Sequence, residues 1–144
     1  VEATCKAAPV VARLVSSFRH RADAEGIIWK IDVDDDAICP FDEYALIEVL
    51  GNLVDNAMKW TKDSVSINIA GTSGAGVIRV LDNGVGIREP DLPTARHRGV
   101  RLDEHSEGYG LGLAIVEDMA QQRNAELVLR NRSEGGLVAE ISWE

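Results

Sequence analysis

The sequence predicts an α/β fold, a two-layer sandwich in which a mixed sheet packs against three helices, and three observations carry that reading. Three stretches place apolar residues at helical spacing, and five others read as short strands. No repeat, low-complexity tract or Pro/Gly/Ser linker divides the 144 residues, so the chain is taken as one domain, 1–144. Hydrophobic residues make up 45% and charged residues 27%, which suits a folded core, and with only 5% aromatics that core rests on Val, Leu, Ile and Ala.

The elements follow in chain order. Pro9 suits the first turn of a helix running to about Glu25, with Val10, Val11, Leu14, Val15 and Phe18 on one face. Gly26 ends it, and residues 27–33 read as a strand. Asp42 is placed to cap a long helix through Lys59, whose apolar line is Leu46, Leu50, Leu53 and Ala57. Strands over 65–69 and 77–81 flank the loop 71–76. Residues 83–108 hold little apolar periodicity and much Gly, Pro, Arg, His and Asp, and a loop that long in a compact domain is usually functional. A helix over about 109–122 carries Leu111, Ile115, Val116 and Met119, and strands over 126–130 and 138–143 flank a turn at Gly135–Gly136.

Charge narrows the function. There are 24 acidic against 15 basic residues, a formal charge of −9. Such a surface argues against nucleic acid or an anionic membrane as partner, since phosphate neutralisation needs Lys/Arg clusters. A small anionic ligand would need local cations or a metal ion. Cys5 and Cys39 lie far apart in sequence and outside any CxxC pattern, which argues against a disulfide framework or zinc site and suits a reducing cytosol. No apolar run approaches the ~20 residues that span a bilayer.

Three constellations could carry chemistry. On the second helix, Glu48, Asn52, Asp55, Asn56 and Lys59 fall within an arc of roughly 100° opposite the apolar line. Charged residues there would make an ordinary solvated face, but Asn is a poor helix former. Its amide oxygen can ligate Mg²⁺ without adding charge, and Lys59 one turn away could meet a phosphate. Second, Asp82 ends an apolar strand and is followed by Asn83-Gly84-Val85-Gly86-Ile87. A carboxylate there can accept from an exocyclic amine, and the glycines let a ligand approach the backbone; a plain Asn-Gly turn is the simpler alternative. Third, Gly108-Tyr109-Gly110-Leu111-Gly112-Leu113 opens a helix, whose N-terminal amides favour phosphate. No Gly-Lys-Ser/Thr follows as in a P-loop, and no strand precedes as in a Rossmann fingerprint.

Other patterns fail on inspection. Asp32, Asp34, Asp36 and Glu43 take calcium-loop spacing, but Ala37 stands where glycine is required and Pro40 interrupts the loop, so an acidic turn is expected. His20, His97 and His105 have no metal-ligand spacing, and no Gly-x-Ser-x-Gly motif is present.

In order and separation, the three constellations resemble the N, G1 and G2 boxes of the GHKL (Bergerat-fold) ATP-binding superfamily. Asn52-Leu-Val-Asp-Asn56-Ala-Met-Lys59, Asp82-x-Gly84-x-Gly86-Ile87 and Gly108-x-Gly110-Leu-Gly112-Leu are most similar to the catalytic domain of bacterial sensor histidine kinases. The wording around Gly51–Asn52 and Arg98-Gly99-Val100-Arg101 is similar to the PhoQ-like subgroup. The resemblance implies ATP and Mg²⁺ as cofactors, with Asn56 the main metal ligand, Asn52 supporting metal or phosphates, and Lys59 contacting phosphate. Asp82 would accept from the adenine amino group, Gly84, Gly86 and Ile87 would shape its pocket, and Gly108 to Leu113 would form the phosphate-side loop. Arg101 would clamp the γ-phosphate from an ATP lid spanning about 88–107. Implied partners are a histidine-bearing dimerisation domain of the same full-length protein and a downstream response regulator, in the cytoplasm.

Glu48 and Asn52 spell ExxxN, the hydrolytic spacing of gyrase-like members. The family's metal Asn is the one followed by Ala, which is Asn56, so the hydrolytic-base position falls on Asn52, an amide that cannot take a proton from water. The resemblance thus implies a domain that holds ATP for transfer and hydrolyses it poorly. Two departures stand out. No Phe follows Phe41, so the usual lid phenylalanine is missing, and no His precedes Glu or Asp, so the phosphoacceptor motif is expected upstream of Val1. Two alternatives are an anti-sigma-factor-type Ser/Thr protein kinase and a non-catalytic nucleotide-binding interaction module.

Overall fold

A computed structural model describes residues 3–93 and 111–144. In chain order the elements are β1 (Cys5–Lys6), α1 (Ala7–Arg19), β2 (Ile28–Val33), β3 (Ile38–Cys39), α2 (Glu43–Trp60), β4 (Ser64–Gly71), β5 (Gly76–Asp82), α3 (Leu111–Gln121), β6 (Glu126–Asn131) and β7 (Leu137–Trp143). Single 3₁₀ turns lie at Ala22–Ala24 and Glu89–Asp91.

Five strands form one mixed sheet in the order β2-β4-β5-β7-β6; β2 runs parallel to β4 and every other pair is antiparallel. Alternation along each strand divides the sheet into two faces. Val65, Ile67, Ile69, Ile78, Val80, Ala139, Ile141, Leu127 and Leu129 are buried on the face that the helices cover. Ser66, Asn68, Arg79 and Glu140 stand on the other, where Glu140 accepts from Arg79 Nε at 2.6 Å and Arg130 Nη2 at 3.4 Å. Burial alone would raise the Glu140 carboxyl, but the two guanidiniums outweigh it and hold it below its ordinary value.

α2 is the central helix. Asp42 caps it as the sequence indicates, its Oδ1 accepting from the Ala45 amide at 2.7 Å. Leu46, Val49, Leu50, Leu53 and Val54 are each at most 1% exposed. Leu50→Ala alone would cost about 2–5 kcal/mol.

The first helix departs from expectation. It stops at Arg19, not near Glu25. After Phe18 no apolar side chain remains for it to bury until Ala24, so packing no longer supports further turns. The Arg21 guanidinium folds back over the Phe18 ring, 4.9 Å from its centroid, and Gly26 at φ +83° turns the chain into β2. The ribbon β1–β3 was not foreseen either, because two-residue strands carry no periodicity. It sets Cys5 directly opposite Cys39, residues that lie far apart in sequence.

Among the described residues no helix is long and apolar enough to cross a membrane, and no group of three His, Cys, Asp or Glu could hold a metal ion.

Candidate functional site

Four of the five polar residues on α2 stand at its surface: Glu48 and Lys59 are exposed, and Asn52 and Asp55 are half-buried. Asn56 is only 6% exposed, although angle alone sets it opposite the apolar line. It sits one heptad after the fully buried Val49, so it lies at the edge of the polar arc and turns into the protein. Its amide oxygen is buried and has no hydrogen-bond partner among the described residues. An orphaned carbonyl-type oxygen of this kind costs roughly 1–3 kcal/mol unless something outside the fold satisfies it.

The neighbouring asparagine is oriented. Asn52 Nδ2 donates to the Glu48 carbonyl at 2.8 Å and lies 3.4 Å from Glu48 Oε1. Its Oδ1 lies against the first turn of α3, 3.4 Å from where a Cβ on Gly112 would stand. A longer residue at Gly112 would crowd that oxygen. Lys59 Nζ stands 3.8 Å from Asp55 Oδ2, and Arg21 Nη1 reaches the other oxygen of Asp55 at 3.2 Å. Both pairs are solvent-exposed and therefore weak, which leaves Lys59 free to take a stronger anion.

Asp82 ends β5 opposite Val65 in the β4 register, so it shares the helix-covered face and is 2% exposed. Its Oδ1 accepts from the Gly84 amide at 2.8 Å and the Leu137 amide at 3.4 Å. No donor among the described residues reaches Oδ2. Burial raises the carboxyl above its ordinary value; the Gly84 and Leu137 amides and the charge of Arg132 pull the other way without cancelling it.

The glycines after Asp82 are demanded by close approach. A Cβ on Gly84 would overlap the Trp60 carbonyl at the end of α2, and Gly86 has φ +74° with the Asn131 side chain against it. α2 therefore touches the Asp82 loop at Trp60 and the start of α3 at Asn52, two points separated by about 12 Å of helix at 1.5 Å per residue. Asn52, Asn56 and Lys59 line this span. Ile87 and Leu113 are buried, 4% and 0% exposed, and hold the two loops to the core. Leu111 begins α3. Arg101, Gly108, Tyr109 and Gly110, and the lid beyond residue 93, lie outside the described residues.

Sequence reading missed three supports of this site. Asn131 grips the Ile87 backbone from both sides: its Oδ1 accepts from the Ile87 amide at 2.9 Å and its Nδ2 donates to the Ile87 carbonyl at 2.6 Å. Asn83 Oδ1 gathers the amides of Lys62, Asp63 and Ser64 at 3.1, 3.1 and 3.2 Å, tying the exit of α2 to the end of β5. Arg132 Nη1 donates to the Asp82 carbonyl at 2.7 Å. Asn83 was visible as part of Asp-Asn-Gly, whereas nothing local marks Asn131 or Arg132.

Three helices on one face of a mixed sheet, with an amide-bearing helix beside a buried strand-end aspartate and its glycine loop, define an ATPase-type catalytic domain of the GHKL class. Residues 41–144 match the family described as histidine kinase-, DNA gyrase B-, and HSP90-like ATPase, and the chain belongs to that family. Within it, the chain is similar to sensor histidine kinases. It is 41% identical over 98 residues to the sensor protein kinase CarS of Pseudomonas aeruginosa, covering 68% of this chain and 22% of that protein. The virulence sensor histidine kinase PhoQ of Salmonella typhimurium is 27% identical over 134 residues, covering 93% of this chain and 28% of that protein. The solved mycobacterial sensor histidine kinase MprB superposes with a TM-score of 0.83 at 23% identity, covering 99% of this chain and 97% of that one. The chain thus spans about a quarter of the length of the curated relatives it matches.

Proposed function

We propose that this domain binds ATP with Mg²⁺ between α2 and the Asp82–Ile87 loop and presents the γ-phosphate to a histidine on a separate dimerisation domain. The observation that carries the reading is a pair of acceptors in that span with no donor among the described residues: the buried Asn56 oxygen and Asp82 Oδ2. Asp82 Oδ2 suits a donor such as the adenine amino group, since Oδ1 is already committed to backbone amides.

The residues present fit a magnesium ion. Mg²⁺ prefers oxygen ligands and keeps waters and substrate phosphates around one or two protein contacts. Asn56 offers a neutral oxygen that the fold leaves unused, and Asn52, held by Glu48, supports it. When bound, the ion supplies charge neutralisation on the phosphates; Lys59, and Arg101 from the lid, add to it. The carboxylates on this face are Asp55, paired with Lys59 and Arg21, and Glu48. The Glu48 carboxylate faces the Asn52 amide, so the domain is expected to hold ATP for transfer and to hydrolyse it slowly. On this reading the partner histidine belongs to the remainder of a longer kinase, and a downstream response regulator receives the phosphoryl group, on the cytoplasmic side.

The test joins this chain to the histidine-bearing dimerisation domain of the CarS relative and supplies ATP labelled on the γ-phosphate. Acid-labile, base-stable label on that domain, lost in Asn56→Leu, supports the reading. Acid-stable label would indicate a Ser/Thr kinase, and ATP binding without transfer would indicate a nucleotide-binding interaction module; either overturns it.

A further inference from the structure

Cys5 and Cys39 are direct partners in the antiparallel β1–β3 ribbon. Side chains directly opposite in such a pair leave on the same face, with Cβ atoms about 4.5–5.5 Å apart. Two residues along the same register the Ala7 amide donates to the Ala37 carbonyl at 3.0 Å, so by alternation Cys5 and Cys39 occupy a hydrogen-bonded position. Cα atoms there stand about 5.5 Å apart, inside the range of roughly 4.4–6.8 Å that a disulfide spans. Both thiols are free; Cys39 is fully buried and Cys5 partly exposed.

We infer that Cys5 and Cys39 form a reversible intramolecular disulfide, an oxidation site that fastens the N-terminal end of α1 to that of α2. Cys5 lies two residues before α1 and Cys39 four before α2, so the bridge closes a loop of about 35 residues outside the Asn52–Asp82 span. The inference is independent of the nucleotide reading. The oxidant is a low-molecular-weight disulfide such as oxidised glutathione. The Cys5 thiolate attacks one of its sulfurs, the glutathione S–S bond breaks, and one glutathione leaves as thiolate. The Cys39 thiolate, its proton lost to solvent, then attacks the Cys5 sulfur and expels the second glutathione. Two protein thiols are oxidised, one glutathione disulfide is reduced to two thiols, and the two protons end on those products.

Chemistry sets the pace. Burial, aided by the neighbouring Cys5, pushes the Cys39 thiol up to about 12. Burial, with the charges of Glu43 and Asp42, raises Cys5 as well. The resting pair is therefore the dithiol, the first attack belongs to the more accessible Cys5, and exchange accelerates as pH rises.

The experiment treats the reduced chain with oxidised glutathione at pH 8.5, alkylates the remaining thiols, and maps peptides without reduction. The expected result is a Cys5–Cys39 linked peptide in the monomer that dithiothreitol reverses, with a Tm roughly 5–15 °C above that of the reduced chain. Cys39→Ala should stop at a glutathione adduct on Cys5, and Cys5→Ser, a change at a partly exposed site, should leave Cys39 largely unmodified. Glutathione retained on wild-type Cys5 with no internal link would overturn the inference. So would Cys5–Cys5 dimers alone, with a yield that rises with protein concentration.

Discussion

Asp82→Asn separates the cost of a buried charge from its use. The Asn side chain keeps an Oδ1 that can accept from the Gly84 and Leu137 amides, at 2.8 and 3.4 Å in the wild type, and replaces the free Oδ2 with an NH₂ group. A hydrogen bond to a charged acceptor contributes about 1.5–3 kcal/mol, so losing it weakens ATP binding roughly 10- to 150-fold, and a donor facing a donor adds to that. Stability should move the other way. The folded Asp82 carboxyl is raised above its unfolded value of about 3.9, so the native state binds more protons between the two values. Wild-type stability therefore carries a loss as pH rises through that window, and the cost persists at neutral pH. The Asn variant lacks it, and its Tm at pH 7.5 should equal or exceed the wild type. Calorimetric titration with ATP and Mg²⁺, paired with thermal melts from pH 4 to 8, reads both. ATP affinity within threefold of wild type would refute the reasoning, and so would a ligand-free variant that melts well below wild type at pH 7.5.

Other perturbations probe the neighbours. Asn56→Leu removes the orphaned buried oxygen, so the ligand-free domain should gain up to about 1 kcal/mol in denaturant titration while Mg²⁺ no longer enhances ATP binding. Asn131→Ala deletes both bonds to Ile87 and should cost about 1–3 kcal/mol in the same titration, with weaker ATP binding by calorimetry. Gly84→Ala must displace the Trp60 carbonyl, and a Tm loss with ATP binding abolished is expected in melts with and without nucleotide. Glu140 is held below its ordinary value, so its contribution is present above the unfolded carboxyl range of about 4.3 and is lost as pH falls through the lowered folded value. Glu140→Gln should flatten the acid side of the stability profile without affecting ATP affinity.

The sequence disclosed those parts of the site whose cause is local. Asp42 caps α2 because a cap needs only the residue and the amide three positions on. Gly84 and Gly86 announced a close backbone approach by composition, and the structure supplies the Trp60 carbonyl and the Asn131 amide they accommodate. What stayed hidden depends on distant partners. Angle alone sets Asn56 in the polar arc, whereas its burial follows from the packing of the flank it shares with Val49. Asn131 meets Ile87 across a sequence separation of 44 residues, and Cys5 meets Cys39 through strands too short to show a pattern. The early end of α1 was concealed by the helix formers Arg19, Ala22 and Glu25 beyond Phe18, which offer the helix no apolar face to bury.

The most direct test of the central claim is an amide NMR titration of the domain with ATP and Mg²⁺. The largest shifts are expected at the Asn52 and Asn56 side-chain amides, Gly84, Gly86 and Gly112, with Asn56 responding only when Mg²⁺ is present. Little change is expected along β1, β3 and the Arg79–Glu140 face of the sheet. Saturable shifts confined to those distant surfaces, or none in the folded protein, would contradict the claim.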